Sequence, residues 1–126
     1  MKSLLKLGGI IYLLLYMNLL LVAQTAHNII ANDAEKEQHF GYVTAISGNK
    51  VLIGSKNNDN GKNSGAVYVY ANEENSWQEK SRIVPLDNKM GDCFGSFLCA
   101  NDKDVLIAAT HNSDKAAHAG AVYHYQ

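Results

Sequence analysis

Proline and cysteine are both scarce in this 126-residue chain, which has one proline, Pro85, and two cysteines, Cys93 and Cys99. Two cysteines cannot form the disulfide framework that staples many small secreted folds. Six residues of extended chain hold the Cα atoms of Cys93 and Cys99 about 20 Å apart, too far for a bridge. We expect both to be small buried hydrophobic residues, with an intermolecular bridge through Cys93 as the alternative. No Asn-x-Ser/Thr sequence occurs, so N-glycosylation is not expected.

An excess of basic residues is also lacking. Two of the 11 basic residues, Lys2 and Lys6, lie in the first 25 positions, which leaves 9 basic against 12 acidic residues in the rest. A nucleic-acid partner requires a concentrated basic surface, so this balance argues against one.

The N-terminus is the one long apolar stretch. Lys2 and Lys6 precede an apolar run from Leu7 to Ala23 that only Asn18 interrupts. Small residues follow, so residues 1–25 are predicted to be a signal peptide cleaved between Ala23 and Ala26. An uncleaved signal anchor helix is the alternative, and it would be the protein's only contact with a membrane. Either alternative places the remainder on the extracytoplasmic side, secreted or membrane-anchored.

Reactive constellations are missing as well. The five histidines lack the close pairing and the carboxylate or cysteine companions of a zinc site. No nucleophile elbow, Ser-His-Asp arrangement or phosphate-binding glycine loop occurs. We therefore expect no catalytic residues, no metal and no cofactor, and the chain is not predicted to be an enzyme. The histidines are His27, His39, His111, His118 and His124.

What the chain does have is an internal repeat. The stretch Gly65–Tyr70 returns as Gly120–Tyr125 with five of six residues identical, 55 positions later. Phe40-Gly41 returns as Phe94-Gly95, 54 positions later, and Val51–Gly54 returns as Val105–Ala108 at the same spacing. A period near 50 residues is typical of propeller or solenoid arrays.

Short alternating segments bounded by turn residues predict an all-β fold. The first repeat, residues 40–90, contains four antiparallel strands, which make one full β-propeller-type blade. The second repeat, residues 91–126, contains three strands. Residues 26–39 form an N-terminal segment, in which Ile29-Ile30 aligns with Ile83-Val84 and Asp33 with Asp87. His27–Ile30 is therefore predicted to be a remnant strand that could complete the second blade of a neighbouring copy.

These residues resemble the FG-GAP repeat of integrin-alpha-like β-propellers, and the resemblance covers Phe40 to Tyr125. Both copies lack the proline that the family's Gly-Ala-Pro element carries. The loop Asn57–Gly61 is rich in oxygen, but Lys56 would occupy the first ligand position of a calcium loop, so no metal is predicted. The motif residues that carry the resemblance are Phe40, Gly41, Gly54, Gly65, Tyr68, Tyr70, Phe94, Gly95, Gly120, Tyr123 and Tyr125.

The resemblance implies a secreted or membrane-tethered, non-enzymatic binding or adhesion module whose contacts lie on the loops 55–64 and 110–119. Alternation places Tyr68 and Tyr70 opposite Val67 and Val69, and we expect the tyrosines to pack between adjacent blades.

One full blade and three strands of a second are too little for a closed propeller, which needs about four to eight blades. Three explanations remain open: a fragment or truncated propeller that acts as a structural subunit without a ligand, self-assembly of several copies, or a small independent pair of sheets.

Overall fold

The computed structural model describes residues 1–4, 6, 8–9, 12, 26–57 and 63–126. The first sheet has the order β1-β2-β3-β4 and the second has the order β5-β6-β7, with all neighbours antiparallel. We call these sheets the first and second blade. The all-β prediction, with four strands and then three, is confirmed. The strands are β1 Phe40–Ser47, β2 Lys50–Ser55, β3 Ala66–Glu73, β4 Ser76–Ile83, β5 Phe94–Ala100, β6 Val105–Ala109 and β7 Ala121–Tyr125.

The turn between the first two strands of each blade is made differently in the two copies. In the first blade, Ser47 pairs with Lys50 across a two-residue turn, and Gly48 has a φ of 57°. The second blade has no glycine there. Instead, the side-chain oxygen of Asn101 accepts hydrogen bonds from the backbone of Lys103 and Asp104, both at 2.7 Å. A side chain thus replaces the backbone freedom that glycine provides.

The Phe-Gly pairs form bulges at the start of the inner strands. Pairing moves from Phe40–Ser55 directly to Val43–Gly54, so that two residues of β1 are left over. The same shift occurs between Phe94 and Phe97 in β5. A bulge of this kind needs a residue with positive φ, which glycine adopts without strain.

Each blade has two faces, which we name after the residues of its third strand. The valine face of the first blade carries Leu52 and Val67, and it packs on the second blade's Phe94, Ile107 and Ala109. The second blade's tyrosine face, with Tyr123 and Tyr125, joins this cluster.

The position predicted for Tyr68 and Tyr70 is wrong, because their face of the first blade is turned away from the second blade. The two tyrosines are buried with Ala31, Ile53 and Ala66, beneath the N-terminal segment. The alternation along β3 was read correctly, but the sequence did not reveal which face the second blade covers.

The N-terminal segment, residues 26–39, contains two turns and no strand. Its backbone nevertheless repeats the connection between the blades: Glu37 and His39 have positive φ values of 62° and 54°, as Gly91 and Cys93 do at 86° and 57°. Ile29 packs on the first cluster, and the carbonyl of Ile30 accepts a hydrogen bond from the Tyr70 hydroxyl at 3.2 Å. The predicted remnant strand is thus a non-strand segment bound to its own blade.

Two further expectations concern the leader and the cysteines. The predicted apolar helix falls mostly outside the described residues, and no described helix is long and apolar enough to cross a membrane. Both cysteines are free, but the expectation that both are buried is wrong. Cys93 is half-buried just ahead of β5, and Cys99 is exposed on the open face of the second blade.

Candidate functional site

The strands place all long connections at one edge of the two blades. The connections 56–65, 84–93 and 110–120 lie at this loop edge, where the predicted contact loops 55–64 and 110–119 meet the ends of β2, β3, β6 and β7. The opposite, turn edge holds only the short turns at 48–49, 74–75 and 101–104. The loop edge is therefore the part of the molecule with enough freely variable surface for recognition.

A buried polar pair braces the second long loop. Asp92 and Asn112 are both 3% exposed, and the Asn112 amide donates to the Asp92 carboxylate at 3.3 Å. The same carboxylate accepts the backbone N–H of Lys89 at 2.9 Å, and the Asp92 carbonyl accepts that of His111 at 3.1 Å. These bonds tie the connection between the blades to the loop that follows β6, so the loop is held in one conformation.

Asn112 also organises the loop itself. Its side-chain oxygen accepts the backbone N–H of Asp114 at 3.1 Å, and its carbonyl accepts that of Gly120 at 2.9 Å. Ser113 accepts the backbone N–H of His118 at 3.0 Å. Sequence reasoning missed Asp92 and Asn112 as a pair, because nothing in the repeat connects residues 20 positions apart.

Charged and aromatic side chains cover the outside of this braced loop. Lys89 forms an ion pair with Asp114, which raises the pKa of the lysine and lowers that of the aspartate. The rings of His111 and His118 meet edge to face, with centroids 5.3 Å apart, and Lys115 is exposed beside them. The arrangement offers both charges and ring surface to a partner.

The same loop has little to offer to catalysis. Thr110 lies 3.1 Å from Nδ1 of His111, but its hydroxyl donates to Ser96 at the same distance. A nucleophile needs its proton directed at the base, so this pair is a structural contact. Among the described residues no group of three or more His, Cys, Asp or Glu side chains is arranged to hold a metal ion.

The first long loop is described at its two ends. Lys56 lies over the ring of Tyr42 at 3.9 Å, and the Asn57 amide is 2.6 Å from Nδ1 of His39. At the other end the carbonyls of Asn63 and Ser64 accept the backbone N–H groups of Cys93 and Phe94 at 3.0 and 2.8 Å. Residues 58–62, which include most of the loop considered for calcium, lie outside the described residues.

The motif glycines crowd together where the two blades meet. A Cβ atom on Gly65 would lie 2.0 Å from the Phe94 carbonyl oxygen, and one on Gly54 would lie 2.4 Å from that of Gly95. On Gly95 it would lie 2.8 Å from the Ala66 oxygen. These three glycines are therefore required by the close approach of two backbones. Gly41 and Gly120 have positive φ but no contact as close.

The aromatic motif residues form one arrangement in each blade. Phe40 meets Tyr68 and Tyr70 edge to face at 5.2 and 6.1 Å between centroids, and Phe94 meets Tyr123 at 5.3 Å. These pairs fill the space between the inner strand and the third strand, so they act in folding.

Each tyrosine face also contains a Tyr–Asp hydrogen bond. The Tyr68 hydroxyl donates to Asp33 at 2.7 Å, and Arg82 donates to the other Asp33 oxygen at 2.6 Å. Burial and the bond to Asp33 raise the pKa of Tyr68. Burial acts to raise the pKa of Asp33, but the bond from Tyr68 and the charge of Arg82 outweigh it and hold that pKa below its usual value.

In the second blade Tyr123 donates to Asp87 at 3.3 Å, and burial together with the Asp87 charge raises the pKa of Tyr123 to about 12. The alignment of Asp33 with Asp87 across the repeat was the signal for these two bonds.

Comparison with known proteins adds the family. The comparison with curated proteins gives no match. Residues 24–70 match the family model of the FG-GAP repeat. The match begins ahead of Phe40 and therefore includes the N-terminal segment as well as the first three strands. Together with the two blades and their paired motif glycines, this match identifies the chain as an FG-GAP repeat protein.

Proposed function

We propose that the chain is a non-enzymatic binding or adhesion module that recognises a protein partner through its loop edge. The observation that carries this proposal is the buried Asp92–Asn112 pair, which holds loop 110–119 rigid while its charged side chains face outward. A loop that is ordered before binding loses less entropy when it binds, so its contacts yield more affinity.

We further propose that this module works outside the cytoplasm, either secreted or held at a membrane by residues 1–25. The positively charged and apolar leader supports this location. It also agrees with the family, whose repeats are typically extracellular.

The open valine face of the second blade supports a second candidate function. Phe97, Leu106 and Val122 are exposed there, and an exposed apolar face is common in structural subunits of larger assemblies. In this alternative the chain is a truncated propeller without a ligand of its own.

A matched pair of lysine variants tests the binding function. Lys115 and Lys103 are both exposed on the second blade, Lys115 at the loop edge and Lys103 at the turn edge. The full chain is tested for saturable binding to an array of extracellular proteins and glycans. We expect Lys115→Glu to weaken the binding about tenfold and Lys103→Glu to change it less than about twofold. Absence of saturable binding, or equal losses in the two variants, would contradict the proposal.

A further inference from the structure

The outer edge of β7 is open among the described strands. β7 pairs with β6 alone, whereas β3, its equivalent in the first blade, pairs with both β2 and β4. The two strands differ at one of five positions, Val69 against His124. The first blade therefore shows how a strand sits on a β3-type edge.

A cleft lies beside this open edge. Its volume is about 340 Å³, and it lies between the blades at the turn edge. In the first blade the matching place beside Tyr70 holds Trp77 of β4, which packs on the buried tyrosine cluster. The cleft therefore has the size and the apolar surface to take an aromatic side chain from an added strand. Its apolar lining residues are Leu52, Val69, Ile83, Val105 and Tyr125.

Charge gives a third, independent indication. In the first blade, Arg82 of β4 lies opposite Tyr68 and forms an ion pair with Asp33. In the second blade Asp87 accepts the Tyr123 hydroxyl. No basic side chain among the described residues forms an ion pair with Asp87. An acidic group thus stands where the first blade has a completed acid–base pair.

We propose that the β7 edge binds an extended segment of a partner protein as an antiparallel fourth strand. The segment carries an aromatic residue that enters the cleft and, five residues later, a basic residue that pairs with Asp87, as Trp77 and Arg82 do in β4. Main-chain pairing supplies the common part of the affinity, and these two side chains supply the selectivity. The chain's own N-terminal segment does not fit, because Asn28 stands at the position that aligns with Arg82 and Ile30 is bound to Tyr70.

The probe is a synthetic peptide with the sequence of residues 74–84, which contains β4, titrated into the full chain and followed by fluorescence anisotropy. We expect saturable binding. Trp77→Ala in the peptide should weaken it about tenfold or more, because a buried aromatic anchor is lost. Arg82→Glu in the peptide should weaken it about threefold, the effect of an exposed ion pair. Asp87→Lys in the protein should restore the binding of the Arg82→Glu peptide.

Two controls separate this site from the others. Asp33→Asn in the protein should leave peptide binding unchanged, and amide exchange should slow in β7 on adding peptide. If Asp33→Asn weakens binding while Asp87→Asn does not, the peptide has displaced β4 and the proposal is wrong. Absence of saturable binding would also overturn it. Lys115→Glu should not affect the peptide, so failure here is distinct from failure of the loop-edge function.

Discussion

The two blades carry nearly the same third strand, yet the same side chain is buried in one and exposed in the other. Val67 is 0% exposed and its counterpart Val122 is 67% exposed; Leu52 is 3% exposed and its counterpart Leu106 is 43% exposed. The sequences of these positions do not differ, so the neighbour decides. In a repeat architecture each unit buries only the face that another unit covers. Equivalent substitutions in the two blades should therefore have unequal effects, and pairs of variants measure that inequality.

The largest difference is expected for the glycines that begin the third strands. Gly65→Ala places a Cβ about 2.0 Å from the Phe94 oxygen at a φ of 89°, whereas the nearest atom to a Cβ on Gly120 is 3.4 Å away. Steric overlap and backbone strain together should lower the free energy of unfolding by about 3 kcal/mol or more in Gly65→Ala. Gly120→Ala should lose only about 1 kcal/mol, from its φ of 77°. Urea denaturation followed by circular dichroism measures both, and equal losses would show that the blades do not meet at Gly65.

A smaller difference is expected for the valines. Val67→Ala removes two methyl groups from the cluster between the blades and should lower the free energy of unfolding by about 1–2 kcal/mol. Val122→Ala should change it by less than about 0.5 kcal/mol, because that side chain is already exposed. The same denaturation experiment tests the pair. A loss at Val122 as large as that at Val67 would mean that another molecule covers the second valine face.

The smallest difference concerns pH. Because the pKa of Asp33 is lowered in the folded chain, its ionised form contributes stability above about pH 4. That contribution is lost as the pH falls through the folded-state pKa. Asp33→Asn should therefore flatten the fall in stability between about pH 5 and pH 3. The effect is about 0.5 kcal/mol, since the pair with Arg82 is partly exposed.

Asp87→Asn is the matched control in the second blade, where no arginine completes the pair. Its urea midpoint should follow that of the unchanged chain over the same pH range. A larger effect at Asp87 than at Asp33 would contradict the assignment of the ion pair.

Much of the strand plan was predictable from the repeat, because alternation and turn residues act locally. The bulges at Phe40-Gly41 and Phe94-Gly95, the two-residue turn at Gly48 and all seven strands follow from such local signals. The motif residues were also predictable as a set, but their role was not. Gly54, Gly65 and Gly95 meet only when two blades pack together, and the spacing of a single repeat does not contain that contact.

The position of the faces and of the site depended on contacts across long separations. Tyr68 and Tyr70 are covered by residues some 35 to 40 positions earlier, which looked like a polar linker. The Asp92–Asn112 pair joins two connections that flank a hairpin. Neither contact leaves a periodic pattern, so only the folded chain could reveal them.

Ala108 stands in the second blade where the first has Gly54. A Cβ atom at Gly54 would lie 2.4 Å from a backbone oxygen of the second blade, and Ala108 already has such an atom. A third blade could therefore not sit on the second in the way that the second sits on the first. Head-to-tail contacts that repeat from copy to copy build open fibres. One methyl group at the exposed end of the array thus blocks that form of polymerisation, and a ring of copies would need a different, wider contact.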